Sequence, residues 1–194
     1  MRRILLTATA LLSLSTAASA QRNPQIRDGF MISLGVGAGS AGVSCSGCIT
    51  DRENGPMLSL MLGGAVSPSL ILGAETHGWA KQQNGENMQN GFLTGIAQWY
   101  PSVETGFFVK AGVGFGHVSD EATDPTFGNV KVESTGFAYQ VGTGYDFRVG
   151  KNFSLSPFVN YLATTGASAK VNGTNANERL DVSNFQYGLG FTWH

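Results

Sequence analysis

Along residues 30–39 apolar and small positions alternate with a period of two. Phe30, Ile32, Leu34, Val36 and Ala38 share one face, and Met31, Ser33, Gly35, Gly37 and Gly39 the other. Successive side chains of an extended chain point to opposite sides, so the pattern predicts a strand with one apolar face. The pattern returns at Leu58, Leu60, Leu62 and Val66 and again at Leu70, Leu72 and Ala74, with Ser67-Pro68-Ser69 as the tight turn between them. Residues 91–100 are less regular, with Phe92 and Ile96 on one parity and Leu93, Ala97 and Trp99 on the other. The frame that groups Leu93, Ala97 and Trp99 with the other apolar faces is expected, because it turns Gln98 to the opposite side. A fifth face runs Phe107, Val109, Ala111, Val113, Phe115, opposed by Phe108, Lys110, Gly112, Gly114 and Gly116. Phe137 to Phe147 at odd positions, Phe153 to Tyr161, and Phe185, Tyr187, Leu189, Phe191 and Trp193 complete eight predicted strands.

The connections alternate long and short. Residues 40–56, 80–90, 118–133 and 164–181 are expected to be long loops, and 67–69, 101–106 and 148–152 short turns. Asn54-Gly55, Asn84-Gly85 and Asn172-Gly173, dipeptides suited to left-handed turns, all fall in the long set. An even-stranded antiparallel meander with both termini at one end gives this alternation. Bacterial outer-membrane barrels keep short turns in the periplasm and longer loops outside.

Composition adds a compartment. Arg2 and Arg3, the apolar run Ile4 to Leu14, and Ala18-Ser19-Ala20 read as a secretory signal peptide over residues 1–20, with 21–28 a short N-terminal segment and 29–194 the folded domain. The apolar run is shorter than the roughly 20 residues a transmembrane helix needs, and no later run replaces it. Without Arg2 and Arg3 the formal charge becomes −3 (10 Lys and Arg against 13 Asp and Glu), which implies no basic surface for nucleic acid. The chain is 13% charged with 27 Gly and 12 Phe, which suits short strands with aromatic anchors.

The parity opposite the apolar one is mostly Gly, Ser, Thr and Asn with a few charges. A soluble barrel would bury its apolar parity inside; here the polar set suits the lumen of a membrane barrel whose apolar face meets lipid. Closure would satisfy every backbone N–H and C=O without water, and Trp99, Phe107, Tyr145, Phe147, Phe153 and Trp193 would form an interfacial girdle. The expected fold is an all-β, eight-stranded antiparallel up-and-down transmembrane β-barrel, both termini periplasmic.

The C-terminal strand carries a resemblance. Gln186-Tyr187-Gly188-Leu189-Gly190-Phe191-Thr192-Trp193 matches the ending of outer-membrane barrels: a polar residue, any residue, Gly, two of any kind, an aromatic, any residue, an aromatic. His194 follows, where many members end on the aromatic itself. Over about residues 28–194 the chain resembles the outer-membrane β-barrel domain family and is similar in size to the OmpA transmembrane domain. The resemblance implies that Gln186, Gly188, Phe191 and Trp193 form a signal read by the barrel assembly machinery, and that outer-membrane lipid and lipopolysaccharide surround the protein. It implies a location and a fold, not an activity.

Candidate chemistry is sparse. Cys45 and Cys48, spaced Cys-Ser-Gly-Cys, suit a local disulfide in an oxidising envelope; three His in the whole chain, none nearby, offer no four-ligand zinc site. Gly37-Ala-Gly-Ser-Ala-Gly42 fits G-x-G-x-x-G in form, yet it continues a strand and opens no helix, so it reads as lumen glycines plus loop. Glu75, His77, Lys110 and Asp146 face inward and are expected to pair inside a narrow barrel, the alternative being an ion path. His117, Ser119 and Glu121 share the outward parity, a set of imidazole, hydroxyl and carboxylate able to act on an ester. Their His-x-Ser spacing is similar to that of small outer-membrane lipid A deacylases, although on a different strand, and residues 120–124 read as polar loop. The favoured expectation is a non-enzymatic barrel, without cofactor or metal, that meets an extracellular ligand through its loops.

Overall fold

A computed structural model describes residues 27–194 apart from 46–47, 50–51, 84–85 and 125–127. The expected signal peptide lies outside the described residues. Eight long strands follow in order: β1 Phe30–Cys45, β2 Glu53–Ser67, β3 Leu70–Gln83, β4 Glu86–Trp99, β5 Phe107–Asp124, β6 Gly128–Tyr145, β7 Phe153–Val171 and β8 Thr174–Trp193. Two-residue pairings, Cys48–Ile49 on β1 and Phe147–Arg148 on β7, complete the sheet. Each long strand pairs antiparallel with its chain neighbour, and β8 returns to β1 from Ile32↔Trp193 to Cys45↔Leu180. The sheet is therefore a closed barrel with no free edge. Among the described residues no helix is long and apolar enough to cross a membrane.

The parity reading holds in all eight strands. Phe30, Leu58, Leu72, Leu93, Val113, Phe115, Val141, Tyr187 and Trp193 are exposed on the outside. Their immediate neighbours along the chain, Met31, Ser59, Ile71, Thr94, Gln140 and Gln186, are buried within. The irregular strand β4 takes the expected frame, with Leu93 and Trp99 outward and Gln98 buried. A continuous apolar band on this scale is stable against lipid, not water.

Three expectations are corrected. Most of the chain expected as long loops is strand, because β1, β3, β5 and β7 run on into extended hairpins. Residues 117–124 pair with 128–135, and the turn between β7 and β8 is only Asn172-Gly173. That turn has φ of 47° and 81°, the left-handed geometry its sequence suits, whereas Asn54 and Gly55 sit in β2 opposite Ser40 and Gly39. Backbone pairing continues there because each strand keeps its neighbour beyond the apolar band, whatever the side chains. Phe147 is not part of β6. The chain leaves that strand at Asp146, whose N–H bonds Gly106 O at 2.9 Å, and Phe147 pairs with Leu155.

The third correction is the lumen, which is partly apolar. Met31, Met57, Met61, Ile71, Trp79, Ile96, Tyr100, Phe108 and Phe158 form one buried cluster, and Phe92, Ala138 and Leu162 another. Large inward side chains occupy the room left by inward glycines. A Cβ on Gly35 would stand 3.0 Å from the Phe158 ring, and Gly144 lies opposite Phe108 with that ring against it.

Candidate functional site

The lumen holds the densest polar chemistry. Glu75 on β3 and Lys110 on β5 face each other across the interior, and Lys110 Nζ donates to both carboxylate oxygens at 2.7 and 2.8 Å. Gln140 Nε2 on β6 donates to Glu75 Oε2 at 2.6 Å, and Thr94 Oγ1 on β4 donates to Gln140 Oε1 at 2.7 Å. His77 Nε2 stands 3.4 Å from Glu75 Oε2, near enough for attraction when protonated but without hydrogen-bond alignment. Three strands are thus tied through one carboxylate, and Thr94 joins β4 to them through Gln140. A buried charge is tolerated only with such partners, and the expected pairing of Glu75, His77 and Lys110 is what the geometry brings together.

Asp146 belongs to a second group at the short-turn end. Tyr100 O–H donates to Asp146 Oδ2 at 2.7 Å, Ser156 O–H to Oδ1 at 2.7 Å, and Gln98 Nε2 to the Tyr100 hydroxyl at 2.6 Å. Arg27, just before β1, lays its guanidinium 3.4 Å from the Tyr100 ring centroid and donates through Nη2 to Thr105 O at 2.7 Å. The stack is a cation–π contact, and it closes this end of the lumen. His194 caps the same end beside Ser154, at 3.2 Å. Burial, then the charges of Arg148 and Arg27, hold its imidazole down to about 4. Arg27 lies before the first expected strand, and Tyr100, at the end of the expected strand 91–100, shares the inward parity of Gln98 although β4 itself stops at Trp99.

On the outer surface His117, Ser119 and Glu121 stand in a row at the hairpin end of β5. They are engaged separately. His117 Nδ1 lies 2.9 Å from Thr135 Oγ1, and Glu121 is bridged at 3.3 Å by Lys131, which also meets Glu133 at 2.8 Å. No hydrogen bond links the three candidate residues to one another among the described residues. Ser119 faces Glu133 across the ladder. The backbones of Cys45 and Cys48 pair in register, but their side chains lie outside the described residues.

In the last strand Phe191 and Trp193 point outward, while Gln186, Gly190 and Thr192 point into the lumen. Gln186 is fully buried, opposite Gly39 across the seam and Asn160 of β7. A closed eight-stranded barrel with an apolar exterior and a filled, polar-cored lumen defines a membrane-spanning barrel of the outer-membrane class. The chain belongs to the outer membrane protein β-barrel domain family, whose model matches residues 6–193.

Solved structures agree on the fold. Ail, the attachment invasion locus protein of Yersinia pestis, is 13% identical with a TM-score of 0.60, over 86% of this chain and 99% of that one. Neisserial surface protein A is 15% identical at 0.60, over 86% and 97%. OprG of Pseudomonas aeruginosa is 15% identical at 0.50, over 89% and 100%. No curated protein matches the sequence. At these identities the likeness is one of fold alone, and the outer membrane is where the family places the chain.

Proposed function

We propose that the protein is a surface-interaction barrel, held with both termini in the periplasm and its four long hairpins outside the cell. The observation that carries this reading is the asymmetry of the two ends. At one end, turns such as Pro68-Ser69 follow the apolar band closely; at the other, paired strands extend well past it. Rigid hairpins projecting from a fixed scaffold are suited to recognition. The interior, filled by the Glu75 network and by Phe108, Phe158 and Tyr100, favours this over a pore. The names of Ail and Neisserial surface protein A, an attachment protein and a surface protein, point the same way.

Ail has been crystallised with the heparin analogue sucrose octasulfate, but a polyanion is a poor match for this chain. The hairpin end presents Glu53, Glu86, Asp120, Glu121, Glu133 and Asp181 against Arg52, Lys81, Lys131 and Lys170 among the described side chains. Outer-membrane lipid and lipopolysaccharide would cover the apolar exterior. The ending Gln186 to Trp193 would serve the barrel assembly machinery, a reading supported by its two aromatics projecting outward from the seam strand. Ester hydrolysis is not favoured, since Glu121 is held by Lys131 and the His117 ring faces Thr135.

Orientation is the testable core. An epitope placed between Asn172 and Gly173 should be stained by antibody on intact cells, and one placed between Pro68 and Ser69 only after the outer membrane is permeabilised. Variants are first checked for the faster gel migration of the unheated, folded barrel. Staining of the Pro68 epitope on intact cells would overturn the proposal.

A further inference from the structure

Above the polar lumen, at the hairpin end, the strands enclose a separate apolar cavity of about 170 Å³. Its floor is Trp79, whose indole N–H donates to Gly39 O at 2.9 Å and is thereby fixed in place. Its walls are Met88, Val118, Val132, Leu180 and Val182, all on inward positions of their strands. Lipid explains the apolar side chains on the outer face, but it cannot reach these. A cup of apolar side chains opening toward water carries a cost that an apolar occupant would remove.

Two further observations define the occupant. Ser134 lines the cavity with 4% exposure, and its hydroxyl has no hydrogen-bond partner among the described residues. A buried hydroxyl without a partner is costly and uncommon. Around the mouth, the charged side chains on inward parity are Glu53, Glu86, Asp120 and Lys81 among the described residues. Lys81 is committed to Glu53, while Asp120 lies close enough to Glu86 to feel its charge. Among the described residues the rim is therefore acidic, with the Asp120 carboxylate lining the apolar cup.

We propose that this cup binds a small amphiphilic cation, an aromatic or compact aliphatic amine whose body fills the cavity over Trp79 and whose ammonium lies against Asp120. The size fits: an apolar cavity of about 150 Å³ holds a benzene ring, so this one takes a phenyl group with a short chain. The acidic rim excludes the anion of the same shape, which would be desolvated beside like charge. The Ser134 hydroxyl gives a polar group on the ligand a second anchor. The site is independent of which end of the barrel faces outside.

The test uses the protein in lipid nanodiscs, where no detergent competes for the cup, with Trp99→Phe and Trp193→Phe leaving Trp79 as the reporter. Titration with 2-phenylethylammonium is expected to give a saturable change in Trp79 emission with a dissociation constant of about 1 mM or tighter, a modest affinity for so few atoms. Phenylacetate should bind at least about 10-fold more weakly, and Asp120→Asn should weaken the amine about 5-fold, since charge complementarity sets the discrimination. Val182→Phe, or Ala41→Leu should the first variant fail to fold, fills the cup and should abolish the response. No saturable response to the amine, equal binding of phenylacetate, or unchanged affinity in the filled variant would each overturn the proposal. A failed epitope test leaves it standing, so the two readings fail separately.

Discussion

Lys110 and Glu75 show what a single pair does inside this barrel. Each is buried, and Glu75 collects donors from Lys110 and Gln140. Removing only the cation leaves a carboxylate in the lumen without its counter-charge. Lys110→Met is therefore expected to cost about 3–5 kcal/mol, while Glu75→Gln with Lys110→Met should recover most of that loss, because the carboxylate left without its counter-charge is gone and Gln140 keeps an acceptor. Urea unfolding midpoints, read from the mobility of unheated samples, measure both. A double variant no more stable than the single one would show that the pair is not what holds this layer. The inward placement of Glu75, His77, Lys110 and Asp146 was legible from parity alone. Their partners were not, since Gln140 and Tyr100 meet their carboxylates across 65 and 46 residues of sequence, and nothing local marks those distances.

At the level of strands, periodicity carried the register of the apolar band through all eight elements, including β4 with its competing parities. It failed at the strand ends. Residues 117–124 and 164–171 are rich in Ser, Thr, Ala and charge and look like loop, yet their backbones pair because a neighbouring strand is present, which is a property of the closed sheet. Inward glycines were also underread: they serve as sockets for Phe108 and Phe158, a match made only across strands. The seam between β1 and β8 uses glycine for a different reason. Gly37 faces Gly188, and a Cβ on Gly37 would overlap the Tyr187 carbonyl and stand 2.6 Å from the Gly188 Cα. Gly78 has nothing within 4 Å of that position. Gly37→Ala should destabilise the barrel by about 1–3 kcal/mol through overpacking against backbone that cannot yield. Gly78→Ala should stay within about 0.5 kcal/mol, as surface changes do. Equal unfolding midpoints for the two variants would mean the seam is looser than its register implies.

For the molecule as a whole, the decisive property is how many times its interior is closed. Arg27 over Tyr100, with Asp146 and Ser156, blocks the short-turn end. Met31, Met61, Ile71, Phe108 and Phe158 fill the next layer. The Glu75 network crosses the middle, Phe92 and Leu162 lie above it, and Trp79 roofs the lumen beside Asn90 and Asn184, which are joined at 2.9 Å. Eight strands leave an interior just wide enough for side chains, and here every level of it is occupied. Closure in series has a consequence that a single plug would not have, because opening one layer leaves the others shut. The wild-type protein in planar bilayers is therefore expected to show no steady unitary conductance, and Tyr100→Ala, which removes the stacking partner of Arg27, should be equally silent. Regular current steps from the wild type would contradict the closed lumen outright. Steps appearing only in Tyr100→Ala would locate the whole barrier at the short-turn end and leave the Glu75 layer permeable to ions.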